Sequence, residues 1–192
     1  MKIFPLNAID FYKADHKSQY PTDTDEVYSN FTPRSIKHAE VYFGEGWDKK
    51  IVNLGLQGFI KWFLIDMWNA EFFSADKEKV CKRYKRRMDT SLGPDAVGIE
   101  HIEELHDLGF LPLEIRSLPE GKCVTAGIPV FTVHNTLPTF FWLTNYIESV
   151  MSAEIWKTMT NATIARRYKQ ILNEYAELTG SPMDFVMLQG HD

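Results

Sequence analysis

The chain has 192 residues, a formal net charge of −5, 44% hydrophobic and 24% charged residues. That is enough for one sizeable domain with its own core, or one domain plus part of a second, and the ordinary globular balance excludes disordered and fibrous classes. The acidic balance excludes a general nucleic-acid binder, which needs a net basic footprint or a basic face.

In chain order, the first informative stretch runs from Asp10 to Pro21. Read as a short helix, it places Asp10, Lys13 and Lys17 on one face, with an i, i+3 ion pair between Asp10 and Lys13. Val27 to Thr32 is a predicted strand, rich in β-favouring residues and stopped by Pro33. A helix is predicted over Leu56 to Trp68, where Leu56, Phe59, Ile60, Phe63, Leu64 and Met67 recur at steps of three and four as a core face. Gly55 and Gly58 at its start allow close backbone approach or a tight turn.

Ser74 is a cap candidate for a basic helix running to about Met88, with Val80, Tyr84 and Met88 at i, i+4, i+8 and the Lys/Arg run as a solvated face. A short helix around Ile99 to Leu108 carries His101 and His106. Five residues of helix set those rings roughly 140° apart, so they do not share a metal and are expected at the surface. Two antiparallel strands follow, Leu113 to Leu118 and Val130 to Val133, punctuated by turns at 119–121 and 126–129.

Asn135 or Thr136 is the candidate cap of an aromatic-rich helix beginning near Pro138, a favoured first-turn residue. The clearest helical stripe is Ile164, Tyr168, Ile171, Tyr175 and Leu178, with Arg166, Arg167 and Lys169 among the residues assigned to other faces. Gly180 and Pro182 stop that helix. Asp184 to Leu188 is a predicted buried strand, followed directly by Gly190-His191-Asp192, the position where α/β folds carry their chemistry.

Several classes find no support in the sequence. The amino terminus lacks a signal-peptide core, and the most apolar stretch, Pro138 to Val150, is interrupted by polar residues and falls short of the roughly 20 residues a bilayer span needs, so the chain is expected to be soluble and without a membrane partner. Cys81 and Cys123 lack metal-ligand spacing and fit a reducing, cytoplasmic setting. No P-loop, dinucleotide fingerprint, GxSxG elbow or zinc-protease motif is present.

The segment Asp10-Phe11-Tyr12-Lys13-Ala14-Asp15-His16-Lys17-Ser18-Gln19-Tyr20-Pro21 resembles the D-x-Y-K-x-x-H-x-x-Q-Y-P signature of nicotinamide phosphoribosyltransferases, and Val27 to Arg34 is similar to the strand and arginine that follow it. Further matches keep the family's order: Leu111 to Arg116, Leu118 to Gly121, Val130 to Val133 with Asn135-Thr136, and Trp142-Leu143-Thr144-Asn145-Tyr146-Ile147-Glu148, which resembles its W-L-T-N-x-I-E helix. Gly190-His191-Asp192 resembles the start of its H-D-F-G-x-R-G motif.

The resemblance implies an α+β fold: an amino-terminal antiparallel-sheet and helix domain over 1–154, then over 155–192 the helix and first strand of an incomplete α/β-barrel domain. It implies transfer of phosphoribosyl from phosphoribosyl pyrophosphate to nicotinamide, with Mg²⁺ accompanying the donor and ATP an optional cofactor of the full-length enzyme. The family is homodimeric, with active sites between subunits. By the same resemblance Tyr12 stacks on the nicotinamide ring across the interface, Asp10 sits beside that ring, Arg34 binds donor phosphate, and His191 and Asp192 line the pocket. The family's second stacking Phe, its later Asp, its catalytic His and its glycine-rich loops all fall beyond residue 192. A fragment inactive alone is therefore expected, completed by a carboxy-terminal half. The alternatives are nicotinate phosphoribosyltransferase and a non-catalytic binding or assembly subunit.

Overall fold

The computed structural model describes residues 3–182 and Asp184. The predicted strand past Asp184, together with His191 and Asp192, lies outside the described residues. Five strands are present among them: β1 (Tyr28–Phe31), β2 (Ile51–Val52), β3 (Leu113–Ser117), β4 (Cys123–Val124) and β5 (Phe131–Asn135). Six α-helices accompany them: α1 (Lys37–Phe43), α2 (Leu56–Phe59), α3 (Lys77–Leu92), α4 (Glu100–Leu108), α5 (Leu143–Tyr146) and α6 (Glu148–Thr179).

β5 is the centre of the main sheet and alternates strictly in burial. Phe131, Val133 and Asn135 are buried while Thr132 and His134 are half-buried, the pattern of a strand with one face on a core. β1 and β3 flank it, both antiparallel, with Phe31 opposite Phe131 on one side and Ser117 opposite Phe131 on the other. The Phe31 and Phe131 rings stack 4.9 Å apart. β2 and β4 form a separate antiparallel pair. The α+β class and the antiparallel middle section are both present as the sequence indicates.

The helix predicted over Leu56 to Trp68 differs in pitch and length. After α2 the backbone continues as π-helical turns over Ile60–Met67 and Asn69–Phe73. Bonds from residue i to i+5 widen each turn, so the deepest positions advance by four, five and four: Phe59, Phe63, Trp68 and Phe72. The expected core residues Ile60 and Met67 rotate to half-buried sites, and Trp68 and Phe72 become fully enclosed. Gly55 behaves as expected: its φ is +108°, and a Cβ there would meet Thr158 Cγ2 at 2.7 Å.

Other expectations change in detail. The N-cap of α3 is Asp76, whose Oδ1 accepts from the Lys79 amide at 2.9 Å, and not Ser74. Asn135 does not cap a helix. It accepts from the Val27 amide at 2.8 Å and donates to the Asp25 carbonyl at 2.8 Å, tying β5 to the chain that leads into β1. The helix expected near Pro138 divides into a 3₁₀ turn over Pro138–Phe140, α5 and the start of α6.

His101 is buried, against the expectation of a surface residue. It lies on the same face of α4 as Leu105, with its ring edge-on to Trp142 at 4.8 Å. Burial, with the Lys17 charge adding to it, pushes its pKa down to about 3. His106 is half-buried, 3.0 Å from the Ala75 carbonyl oxygen.

α6 has 32 residues and is about 48 Å long. Its first half packs on the core through Met151, Ile155 and Met159, one turn apart, and Thr163 continues the row by accepting from the Val52 amide at 3.0 Å. Arg167 extends the same row. It is buried, donating to the carbonyls of Phe43 and Glu45 at 3.0 and 3.1 Å. In the second half the predicted apolar stripe forms but meets little: Tyr168, Tyr175 and Leu178 are exposed.

Candidate functional site

Tyr12 sits on a 3₁₀ segment, Phe11–Gln19, that packs against α5 and is tied to the first turn of α6. Asp10 is the extended N-cap just outside these turns, and the ion pair expected between Asp10 and Lys13 gives way to two contacts with α6. The Asp10 amide donates to Ser149 Oγ at 2.9 Å, and that hydroxyl donates back to Asp10 Oδ2 at 2.7 Å. Lys13, 2% exposed, directs its ammonium to Glu148 Oε2 at 2.6 Å. Tyr12, between these two anchors, turns outward and is 60% exposed.

The segment is also held at its far end. Asn145 Nδ2 donates to the Tyr20 hydroxyl at 2.7 Å, while Asn145 Oδ1 accepts from Ser29 Oγ of β1 at 2.9 Å. His16 bridges the two aromatic residues, edge-on to Tyr12 at 5.9 Å and tilted on Tyr20 at 5.1 Å. Its pKa is lowered by burial first and the Lys13 charge second, with Glu148 opposing. The Lys13 ammonium also lies 5.2 Å from the centroid of the Tyr12 ring.

Arg34 follows β1, just after Pro33, whose carbonyl accepts from the Gly127 amide at 2.8 Å. It is exposed and makes no ion pair among the described residues. It borders two cavities. One, of about 470 Å³, is mainly apolar, with Phe31, Phe43, Trp47, Trp156 and Met159 in its walls. The other, of about 440 Å³, is more polar and includes Ser29, Thr144, Asn145, Glu148 and Ser152. An unpaired guanidinium at the mouth of a polar cavity suits a phosphate group, which its fork can grip through two parallel bonds.

Of the residues singled out in the sequence, Asp10 and Tyr12 lie beside the first turn of α6, and Arg34 borders a cavity whose wall includes Glu148 of that turn. The structure does not describe His191 and Asp192. Lys13, Asn145, Glu148 and Ser149 hold the arrangement together; the clue available was that Lys13 belongs to the D-x-Y-K signature and Asn145 and Glu148 to the W-L-T-N-Y-I-E run, while Ser149 carries no signal. Among the described residues no group of three or more His, Cys, Asp or Glu side chains is placed to hold a metal ion. The carboxylate in the Arg34 cavity, Glu148, is already paired with Lys13, so the described residues do not fit a resident Mg²⁺. No described helix is long and apolar enough to cross a membrane.

The fold is that of part of a phosphoribosyltransferase: human nicotinic acid phosphoribosyltransferase superposes with a TM-score of 0.58 at 18% identity, covering 84% of this chain and 28% of that one. Sequence comparison is narrower. The chain is 60% identical over 191 residues to a nicotinamide phosphoribosyltransferase of Acinetobacter baylyi, covering 100% of this chain and 37% of that protein. It is 29% identical over 198 residues to the nicotinamide phosphoribosyltransferase of Mycoplasma genitalium, covering 97% of this chain and 42% of the relative. The chain is therefore similar, along its whole length, to the amino-terminal part of nicotinamide phosphoribosyltransferases, and it spans less than half the length of these relatives. No family model matches it.

Proposed function

We propose that this chain supplies the amino-terminal part of an enzyme that transfers phosphoribosyl from phosphoribosyl pyrophosphate to nicotinamide, releasing nicotinamide mononucleotide and pyrophosphate. One observation carries the reading. Tyr12, beside the first turn of α6, and Arg34, at the mouth of the cavity that Glu148 lines, are both exposed while the segments bearing them are firmly pinned, the condition of groups held ready for a ligand and not for a core.

Nicotinamide is neutral and its ring nitrogen is a modest nucleophile, so the reaction asks for positioning more than proton transfer. The Tyr12 face offers one side of an aromatic sandwich that aims the nitrogen at the anomeric carbon, with Asp10 alongside. Arg34 meets the phosphate of the donor and offsets charge gathering on the departing pyrophosphate. Mg²⁺ belongs to this scheme as part of the phosphoribosyl pyrophosphate substrate. His191 and Asp192 are assigned to the pocket lining, and a homodimer in the cytoplasm is the proposed setting. The division into 1–154 and 155–192 belongs to the same proposal, with α6 running through that point unbroken.

A second reading, an assembly subunit without catalysis, is favoured by the exposed Tyr168, Tyr175 and Leu178 on α6. Incubating the chain with nicotinamide, phosphoribosyl pyrophosphate and Mg²⁺, with and without a carboxy-terminal half, separates the two. Mononucleotide is expected only with the complementing half. Product from the chain alone overturns the need for a complement, nicotinate turned over in preference to nicotinamide overturns the base assignment, and no product in either arm leaves the assembly reading.

A further inference from the structure

Lys13 is among the largest fully buried side chains of the described molecule, and it is a cation. Burying an ammonium is costly unless it is paired and hydrogen-bonded. Its partner, Glu148, is 59% exposed at the side chain and could remain hydrated without it, so the pair is an expensive way to stabilise a fold. Its position suggests another use. The ammonium touches the Tyr12 ring on one side, at 5.2 Å from the centroid. On the other it grips Glu148, which lies in the wall of the polar cavity that Arg34 borders.

From this geometry we infer that the Lys13–Glu148 pair is a positioning device with two effects, and the inference rests on the function proposed above. It fixes the orientation in which Tyr12 is presented to the base. It also neutralises the carboxylate of the Arg34 cavity, keeping that cavity receptive to a phosphorylated sugar. Glu148 alone would set a negative charge against the phosphate and offset the guanidinium. Lys13 and Glu148 touch neither substrate in this arrangement; both act through Tyr12 and through the charge of the cavity.

The two effects separate by substitution. Lys13→Met replaces the buried cation by an apolar chain of similar length and frees the Glu148 carboxylate. In the assembled enzyme it should raise KM for both nicotinamide and phosphoribosyl pyrophosphate, each by roughly five- to tenfold. Glu148→Gln loosens Tyr12 but leaves no negative charge, so it should raise KM for nicotinamide by a similar factor and leave KM for the phosphorylated sugar within about twofold. In a Tyr12→Ala background neither change should further raise KM for nicotinamide, a non-additivity that general loss of structure does not produce. Should Glu148→Gln strand Lys13 and fail to fold, Lys13→Met still carries the test, because removing both the buried charge and its desolvation cost leaves the packing intact.

Equal effects of the two variants on the phosphorylated sugar, or full additivity with Tyr12→Ala, overturn the inference while the function stands. If Tyr12→Ala itself leaves KM for nicotinamide unchanged, the function reading fails and this inference goes with it.

Discussion

The 3₁₀ segment Phe11–Gln19 and the distal half of α6 reverse each other's sequence pattern. The first is mostly polar, yet Lys13 within it is buried and its ends are held by side chains more than a hundred residues away. The second carries a regular apolar stripe, yet Tyr168, Tyr175 and Leu178 stand 58, 61 and 74% exposed. Amphipathic spacing specifies that a helix has an apolar side. Whether that side is covered depends on a partner, and burial of a polar segment depends on whether its charges find theirs.

The contrast within α6 can be broken most directly by truncation. Ile155→Ala, in the packed half, should lower unfolding stability by about 2–5 kcal/mol in urea titrations. A loss below 1 kcal/mol would mean that the proximal half is not the anchored one.

The pinned side is sharpened by pH. His101 takes up a proton near 6.5 when unfolded but only near 3 when folded. Between those values the unfolded chain binds the extra proton, so stability is full above the window and falls as pH drops through it. The slope is about 1.4 kcal/mol per pH unit at most. Subtracting the pH profile of His101→Leu from that of the unaltered chain should isolate this slope; parallel profiles would mean that the imidazole stays hydrated.

Tyr12→Ala should cost on the order of 1 kcal/mol in nicotinamide use in the assembled enzyme, through lost stacking, with little change in folding stability. Kinetics indistinguishable from the parent would remove Tyr12 from the site. Smallest of all, Leu178→Ala should change unfolding stability of this chain by less than about 0.5 kcal/mol. A loss equal to that of Ile155→Ala would show the stripe to be covered after all.

Much of the architecture was legible in order and type. β1, β3, β5, α3 and α4 lie within a few residues of where β-favouring residues, helical spacing and turn residues put them, because those signals are local. The π-helical turns after α2 were not, since a 3.6-residue template assigns Met67 to the core and cannot see that a wider turn brings in Trp68 and Phe72. Asp10, Tyr12 and Arg34 were legible as candidates through resemblance. The contacts of Lys13, Glu148, Asn145 and Ser149 were not, because they run across more than a hundred residues, which no local pattern encodes.

By itself the sequence determined the class of fold, the order of its longer strands and helices, though not α1, β2 or β4, and a kinship with the amino-terminal part of nicotinamide phosphoribosyltransferases, since propensity, periodicity and motif identity are properties of short stretches of chain. Tertiary structure alone decided which charges were buried, which apolar stripe stayed uncovered and which residues gathered at the first turn of α6. Those outcomes follow from desolvation and pairing, and both depend on what stands opposite each side chain in space.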